Sequence, residues 1–312
     1  MNVRQYEYIL AVAKLKNFGL AAEKCFITQS TLSTMIGKFE DEIGIKIFDR
    51  KTKPITITQE GEVIIRQLKV LDKEIETLKE TIQSIKGELV GEIKIGVIPT
   101  VAPYLLPEFL NDFAKKYPKI KFSVSEMTTD TIVTLLEKRE IDIGILAIPL
   151  ENKRLVEIPL YNEPFVLYNC SNEQNREYAS LETIDYSKFW LLAEGHCLHN
   201  QVTNICDLES NKKNDEVNFN FRAGSIESLV RFVKMNNGLT LLPYLACLDF
   251  FPKEYQKVTH FKPPVPVRTI GLVVHNHFVK KQLLDLLKKD IQDKVLPLLK
   301  PSEEEYVVSP IG

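Results

Sequence analysis

Ile64, Leu68, Leu71, Ile75, Leu78, Ile82 and Ile85 are spaced alternately by four and three residues, with Lys and Glu on the flanks and no proline in the run. An apolar seam of period 3.5 held over three heptads demands a helix with one water-shunning face. Such a helix either lies on its own domain or pairs with a second copy of itself. The strict spacing favours pairing, and hence a symmetric dimer. Gly87 and Gly91 mark the end of the rod. At 312 residues the chain is long enough for about two domains, one on each side of this helix.

The segment before the rod reads as three short helices. Tyr6, Ile9, Leu10 and Ala13 recur at helical spacing, and Asn17-Phe18-Gly19 is expected to break that helix. Leu20 to Cys25 follows as a second helix, and Thr28 stands where an N-cap would start a third. The third helix carries Leu32, Ile36, Phe39 and Ile43 on one face. Gln29, Ser30, Thr31, Ser33, Thr34 and Lys38 occupy the other. A helix with an apolar back and a polar N-terminal half suits a major groove, where Gln29 can bond a base edge bidentately and hydroxyls can reach bases or phosphates. Arg50, Lys51 and Lys53 follow in a stretch that reads as a basic hairpin against the DNA backbone. A plain three-helix core with a polar surface fits the same pattern. The formal charge of −2 advertises no polycation, although an acidic remainder can mask one basic face.

Beyond Glu92, strand-like and helical stretches alternate. Residues 93–98, 120–124 and 141–148 read as strands, with helices over 105–116 and 131–138 between them. This rhythm predicts parallel sheet and right-handed crossovers. It is expected to resume after Pro164, through strands at 165–168 and 190–192 and a helix over 225–236. A late strand over 268–275 returns to the first sheet, and a helix follows from Val279 to about Leu299. Thr100 falls just after the first strand, beside a helix start, where ligands of α/β folds collect.

No run of ~18 apolar residues indicates a membrane span, and Met1 to Glu7 lacks the layout of a secretory signal. A cytoplasmic protein with no membrane partner is the expectation. Five cysteines, Cys25, Cys170, Cys197, Cys206 and Cys247, form an odd set without repeated spacing, which argues against a secreted disulfide framework. Cys25, Cys170 and Cys247 follow apolar surroundings and are expected in cores. The segment from Glu194 to Cys206 brings two thiols and two histidines together. Three readings fit it: ordinary buried thiols, a metal site of His196, Cys197, His199 and Cys206, or a redox pair. Close Cys-x-x-Cys spacing is lacking, which disfavours the metal. A redox sensor needs a thiolate and a second thiol that traps the sulfenic acid. His196, a helix starting at the thiol and a distant cation would each favour the thiolate.

The residues also carry a resemblance. Ala21-Ala22-Glu23, Gln29-Ser30-Thr31-Leu32-Ser33, Phe39 to Gly44, Phe48-Asp49-Arg50 and Thr58-Gln59-Glu60-Gly61 resemble the winged helix-turn-helix of LysR-type transcriptional regulators. Ser30 replaces the usual proline, and Gly19 stands at a cap position that usually holds Ser or Thr. Gly195-His196-Cys197-Leu198, Gln201 and Cys206 resemble the redox loop of the family's peroxide-sensing members, with His199 where arginine is usual. Further matching blocks are Ile98 to Pro107, Phe221-Arg222-Ala223, Leu239 to Pro243 and Arg268 to Val273, so the likeness covers nearly the whole chain.

The resemblance implies an α/β architecture. It comprises a winged helix-turn-helix over 1–58, a linker or dimerisation helix over 59–88, and a two-lobed redox-sensing domain over 89–312 that is similar to type 2 periplasmic binding proteins. Lobe I takes about 89–161 and 266–300, and lobe II about 162–265. It makes Cys197 the peroxidatic and Cys206 the resolving thiol, with Thr100, Thr129, His196 and Arg268 around the peroxide. It further implies operator DNA, RNA polymerase and hydrogen peroxide as partners, a homodimer or homotetramer, no cofactor and no metal. The same architecture with a small metabolite in the interlobe cleft is the alternative. A thiol peroxidase or a solute-binding protein fits poorly, since neither needs the head and the rod, and a switch requires only stoichiometric oxidation rather than enzymatic turnover.

Overall fold

The computed structural model describes residues 1–171, 177–181, 184–193, 197–206, 223–300 and 302–310. Contacts divide the chain into two compact units, Met1–Lys86 and Gly87–Gly312.

In the first unit, helix α1 (Val3–Leu15) opens on a capping box. Asn2 Oδ1 accepts from the Gln5 amide at 3.0 Å, and Gln5 Oε1 accepts from the Asn2 amide at 2.9 Å. Helix α2 (Phe18–Lys24) begins earlier than the sequence suggests, because the Asn17 side chain caps it by accepting from the Leu20 amide at 3.1 Å. Gly19 therefore lies inside the first turn and is not the cap, which corrects the role expected for it. Helix α3 (Gln29–Ile43) is capped by Thr28, whose hydroxyl accepts from the Thr31 amide at 3.2 Å, and it ends at Gly44 with φ +69°. Leu32, Ile36 and Phe39 are buried with Ile9, Val12, Ala21 and Ala22 in one core. Strands β1 (Phe48–Asp49) and β2 (Thr56–Ile57) pair antiparallel, which makes the expected hairpin.

Helix α4 (Gln59–Ile85) follows. Its first turn nearly touches β1, and a Cβ at Gly61 would stand 2.3 Å from the Ile47 carbonyl oxygen. The heptad seam divides in two along this helix. Ile64 and Leu68 join the head core, whereas Leu71, Leu78, Ile82 and Ile85 lie exposed. Gly87 and Gly91, with φ +70° and +103°, take the left-handed backbone that ends the rod.

The second unit is built on one curled sheet. Its elements are β3 (Gly91–Val97), α5 (Ala102–Lys116), β4 (Ile120–Glu126), α6 (Thr129–Glu137), β5 (Ile143–Ile148), β6 (Leu155–Asn169), α7 (Cys197–Cys206), α8 (Ile226–Met235), β7 (Leu239–Pro243), α9 (Pro252–Tyr255), β8 (Val258–His260), β9 (Val265–His275), α10 (Lys281–Val295) and β10 (Glu305–Val307). The strand order is β4-β3-β5-β9-β6-β7, with β8 on β6 and β10 on β9.

Strands β3, β4 and β5 are parallel, as the βαβ rhythm requires. The rhythm does not continue as parallel sheet beyond them, because β9 runs antiparallel to β5 and β6, and β7 and β8 run antiparallel to β6. Strand β6 also starts well before the expected Phe165. It is 15 residues long, pairing with β9 through its first part and with β7 and β8 through its last. Pro159 and Pro164 lie within it, and the register slips between Pro159 and Tyr161. Prolines argue against a central strand, and a bulge accommodates one of them here. The expected strand at 190–192 is reduced to isolated bridges, Phe189 to Leu239 and Leu192 to Ala223. Strand β9 does return to the first sheet. None of the described helices is long and apolar enough to cross a membrane.

Candidate functional site

Cys197 is the first residue of α7 and Cys206 the last, and both thiols are reduced and buried. A helical rise of ~1.5 Å per residue puts their Cα atoms about 13 Å apart, against the ~7 Å limit for a disulfide. Helix α7 therefore keeps the two sulfurs separate. They cannot bond, or share one metal ion, until some of it unwinds.

Around Cys197 the sheet supplies polar groups. Arg268, on β9, is almost fully buried. Its Nε donates to Glu163 Oε2 at 2.9 Å, one terminal nitrogen donates to the Thr100 hydroxyl at 3.0 Å, and the other to the Thr100 carbonyl at 3.0 Å. Glu163 Oε1 accepts from the Leu245 amide at 2.9 Å. Thr129 opens α6 with its hydroxyl turned toward Cys197. It acts on the Cys197 thiol in the direction that favours the thiolate, and the buried Oγ1 has no other hydrogen-bond partner among the described residues. Thr100, Thr129, Arg268 and Cys197 thus share one neighbourhood. His196 lies outside the described residues, as do the Asn- and Lys-rich stretch 208–217 and Phe221-Arg222.

The cation and the helix start act on Cys197 in the expected direction, but burial is the largest influence. Arg268, Thr129 and the backbone amides of Cys197 and Leu198 all draw the Cys197 thiol toward its thiolate, but burial outweighs them and the net shift is upward. The Arg268 charge is itself matched by Glu163 at 2.8 Å. Cys206 is pushed up to about 12 by burial, partly offset by the Tyr186 phenol.

The rest of α7 is pinned on several sides. His199 Nδ1 lies 2.7 Å from the Leu192 carbonyl oxygen, Thr203 Oγ1 donates to the His199 carbonyl at 2.9 Å, and Gln201 Nε2 donates to the Val308 carbonyl at 2.9 Å. His199, standing where arginine is usual, thus fastens the helix to a neighbouring backbone. Glu163, Tyr186 and Gln201 were not singled out as site residues by sequence reasoning. The signal for Glu163 was present: an acid set among the apolar residues of β6 and the cation in the apolar run of β9 each need a buried partner. Among the other thiols, Cys170 and Cys247 are buried as expected, and Cys25 is half-buried against the head core.

In the head, Gln29, Ser30, Thr31, Thr34, Lys38, Lys51 and Lys53 are exposed. Ser30 and Thr31 both hydrogen-bond the Thr28 hydroxyl, at 3.0 and 2.8 Å. Arg50 behaves differently from the two lysines. It donates to Ser33 Oγ at 2.9 Å and to the buried Glu40 at 3.1 Å, and its guanidinium stands 5.1 Å from the Phe18 ring centre. Arg50 and Ser33 therefore fasten the hairpin to α3, and the exposed lysines are left as its unengaged cations.

A three-helix head with a hairpin, a long helix and an α/β unit on one curled sheet have the order of parts of a one-chain DNA-binding regulator. Residues 3–62 match the bacterial regulatory helix-turn-helix protein, lysR family, and residues 86–290 match the LysR substrate binding domain. The chain belongs to the LysR family of DNA-binding transcriptional regulators. It is 34% identical over 278 residues to the DNA-binding transcriptional dual regulator OxyR of Escherichia coli K12, covering 88% of this chain and 89% of that one. It is 31% identical over 301 residues to the hydrogen peroxide-inducible genes activator of Haemophilus influenzae, covering 96% and 99%. Among solved structures, a full-length OxyR variant from Pseudomonas aeruginosa superposes with a TM-score of 0.70 at 27% identity, covering 94% of this chain and 98% of that one. A hydrogen-peroxide-bound OxyR mutant from Corynebacterium glutamicum gives 0.62 at 27%, covering 95% and 93%.

Proposed function

We propose that this regulator senses hydrogen peroxide through a reversible Cys197–Cys206 disulfide and so controls oxidative-stress genes. The observation that carries the reading is the placement of two buried thiols at opposite ends of one helix, the first beside Arg268 and Thr129. Peroxide enters beside Thr100, Thr129 and His196. The Cys197 sulfur attacks one oxygen, the O–O bond breaks, and the departing hydroxide takes the thiol proton and leaves as water. Cys197 becomes a sulfenic acid. The Cys206 sulfur then displaces its hydroxyl, forming the S–S bond and a second water. Two thiols lose two electrons in all and the peroxide gains them. Cellular thiols reverse the step by exchange.

Closing the disulfide unwinds α7, and this converts chemistry into shape. In this reading the exposed part of the α4 seam pairs two copies, which assemble further into a tetramer in the cytoplasm. The two heads then meet a two-fold operator through Gln29, Ser30, Thr31, Ser33, Thr34, Lys38, Arg50, Lys51 and Lys53, and the oxidised form engages RNA polymerase.

Peptide mapping after a small molar excess of peroxide tests the reading. A Cys197–Cys206 linkage is expected, absent from Cys197→Ser and replaced by a trapped sulfenic acid in Cys206→Ser. Unlinked cysteines in the peroxide-treated protein, or a Cys197→Ser variant that still responds to peroxide on its operator, would overturn it.

A further inference from the structure

The chain does not end with helix α10. It returns to the sheet as β10, whose Glu305, Tyr306 and Val307 lie parallel to Val265, Pro266 and Val267 of β9. Backbone bonds fix both ends of the strand. The Val265 amide donates to the Glu304 carbonyl at 2.9 Å, and the Val308 amide donates to the Val267 carbonyl at 2.8 Å. Val267 directly precedes Arg268 on the same strand.

The other side of this segment meets α7. Gln201, at 0% exposure, donates through Nε2 to the Val308 carbonyl, while its own Oε1 is buried without a partner. Asn200 Nδ2 reaches the Pro310 carbonyl at 3.5 Å. Tyr306 is close enough to Cys206 for the thiol to add to the upward shift that burial gives the phenol. Val308 is buried at 6% exposure, whereas Val307 and Tyr306 face outward. One short strand is therefore bonded to the strand that carries Arg268 and to the helix that carries both thiols.

We infer that β10 and the stretch from Val308 to Pro310 form a redox-released clasp, locked to α7 through Gln201 in the reduced protein and freed from β9 when α7 unwinds. The inference rests on the proposed disulfide. A strand held by so few residues is stable only while its neighbours hold. Gln201 lies between the two sulfurs, so a helix that opens to let them meet must move it. The Val308 carbonyl then loses its donor. Releasing β10 also bares an unpaired edge at the start of β9, a surface able to accept another strand. In this way the oxidation of two inner sulfurs reaches the protein's outside.

Hydrogen–deuterium exchange of the full chain over residues 302–310 tests the clasp, with peptide mapping in parallel to score the disulfide. On quantitative oxidation the amides of Tyr306 to Val308 are expected to exchange at least about tenfold faster. In the reduced Gln201→Met variant, which keeps side-chain bulk but lacks the donor, the same amides exchange faster without any oxidant. Unchanged protection in a chain that has formed the disulfide overturns the clasp and leaves the sensor intact. Absence of the disulfide overturns the sensor, and the reduced variant then still decides whether α7 holds the tail: faster exchange supports the contact, and unchanged exchange refutes it.

Discussion

Glu163 and Arg268 stand directly opposite one another across the antiparallel ladder of β6 and β9, and their charged groups meet at 2.8 Å with each side chain only 1% exposed. Buried ions are expensive unless matched, and here the match has two consequences. It keeps β6 and β9 in register where β6 is interrupted by prolines, and it restrains how strongly Arg268 acts on the Cys197 sulfur.

Replacing the acid separates those consequences. Glu163→Gln leaves Arg268 without its counter-charge, and removing one partner of a buried pair costs about 3–5 kcal/mol. A urea titration is expected to show that loss in the regulatory unit. The same change removes a negative charge from the neighbourhood of Cys197, so its proton affinity falls. Alkylation of Cys197, followed by peptide mapping across pH, should show a midpoint displaced to lower pH than in the parent. A midpoint that stays put would mean that Arg268 is not the cation felt by this thiol.

The pH dependence of stability carries a second expectation. Unfolded cysteine loses its proton near ~8.5, whereas folded Cys206 holds it up to about 12 because the thiol is buried. Between those values the folded form binds more protons than the unfolded one. Its contribution to stability is therefore whole below ~8.5 and declines as pH rises, by at most about 1.4 kcal/mol per pH unit for one group. Cys197 and Cys247 are shifted in the same direction by burial. Urea unfolding of the reduced protein at a series of alkaline pH values should give a steeper loss for the parent than for Cys206→Ala.

A third expectation concerns the head. Gly61 donates its amide to the Thr58 hydroxyl at 2.9 Å, and a methyl there would collide with the Ile47 backbone. Neither partner is a flexible side-chain end that can swing away. Gly61→Ala is expected to destabilise the head by about 1–3 kcal/mol, the usual cost of overpacking. It should weaken operator binding by moving β1 and the basic hairpin, while leaving peroxide-driven linkage of Cys197 to Cys206 unaltered. Thermal melting and a gel-shift titration would check both.

The head was nearly all legible from local signals, because the Thr28 cap, the Leu32–Ile36–Phe39 stripe and the heptad spacing act over a few residues. Even there Asn17 was taken as part of a break when its side chain starts a helix. The regulatory unit was legible only where neighbouring elements pair in sequence order, as in β3, β4 and β5. Strand β6 was half missed because Pro159 and Pro164 contradict the local rule, and only its partners across the sheet keep it extended. Strand β10 was missed because Glu303-Glu304-Glu305 reads as a solvated end, and its pairing with β9 is a tertiary fact. The site followed the same division. Cys197, Cys206, Thr100, Thr129 and Arg268 were named through motifs and Gln201 stood in one without a role, whereas Glu163 becomes visible only when strands from distant parts of the chain meet.

Both thiols sit on a single ten-residue helix, and in the proposed switch this would set the dose at which the regulator trips. Asn200, Val202, Thr203 and Asn204 are all indifferent helix formers, and Thr203 further diverts its hydroxyl to the carbonyl four residues back. The coil is thus held by what surrounds it more than by its own sequence. On the proposed mechanism, peroxide chemistry would decide whether Cys197 is oxidised, and the ease of melting these few residues how soon the oxidised sulfur finds Cys206. A lineage could tune its alarm to a gentler or harsher habitat by exchanging an asparagine for an alanine on this coil, leaving every reacting atom as it was.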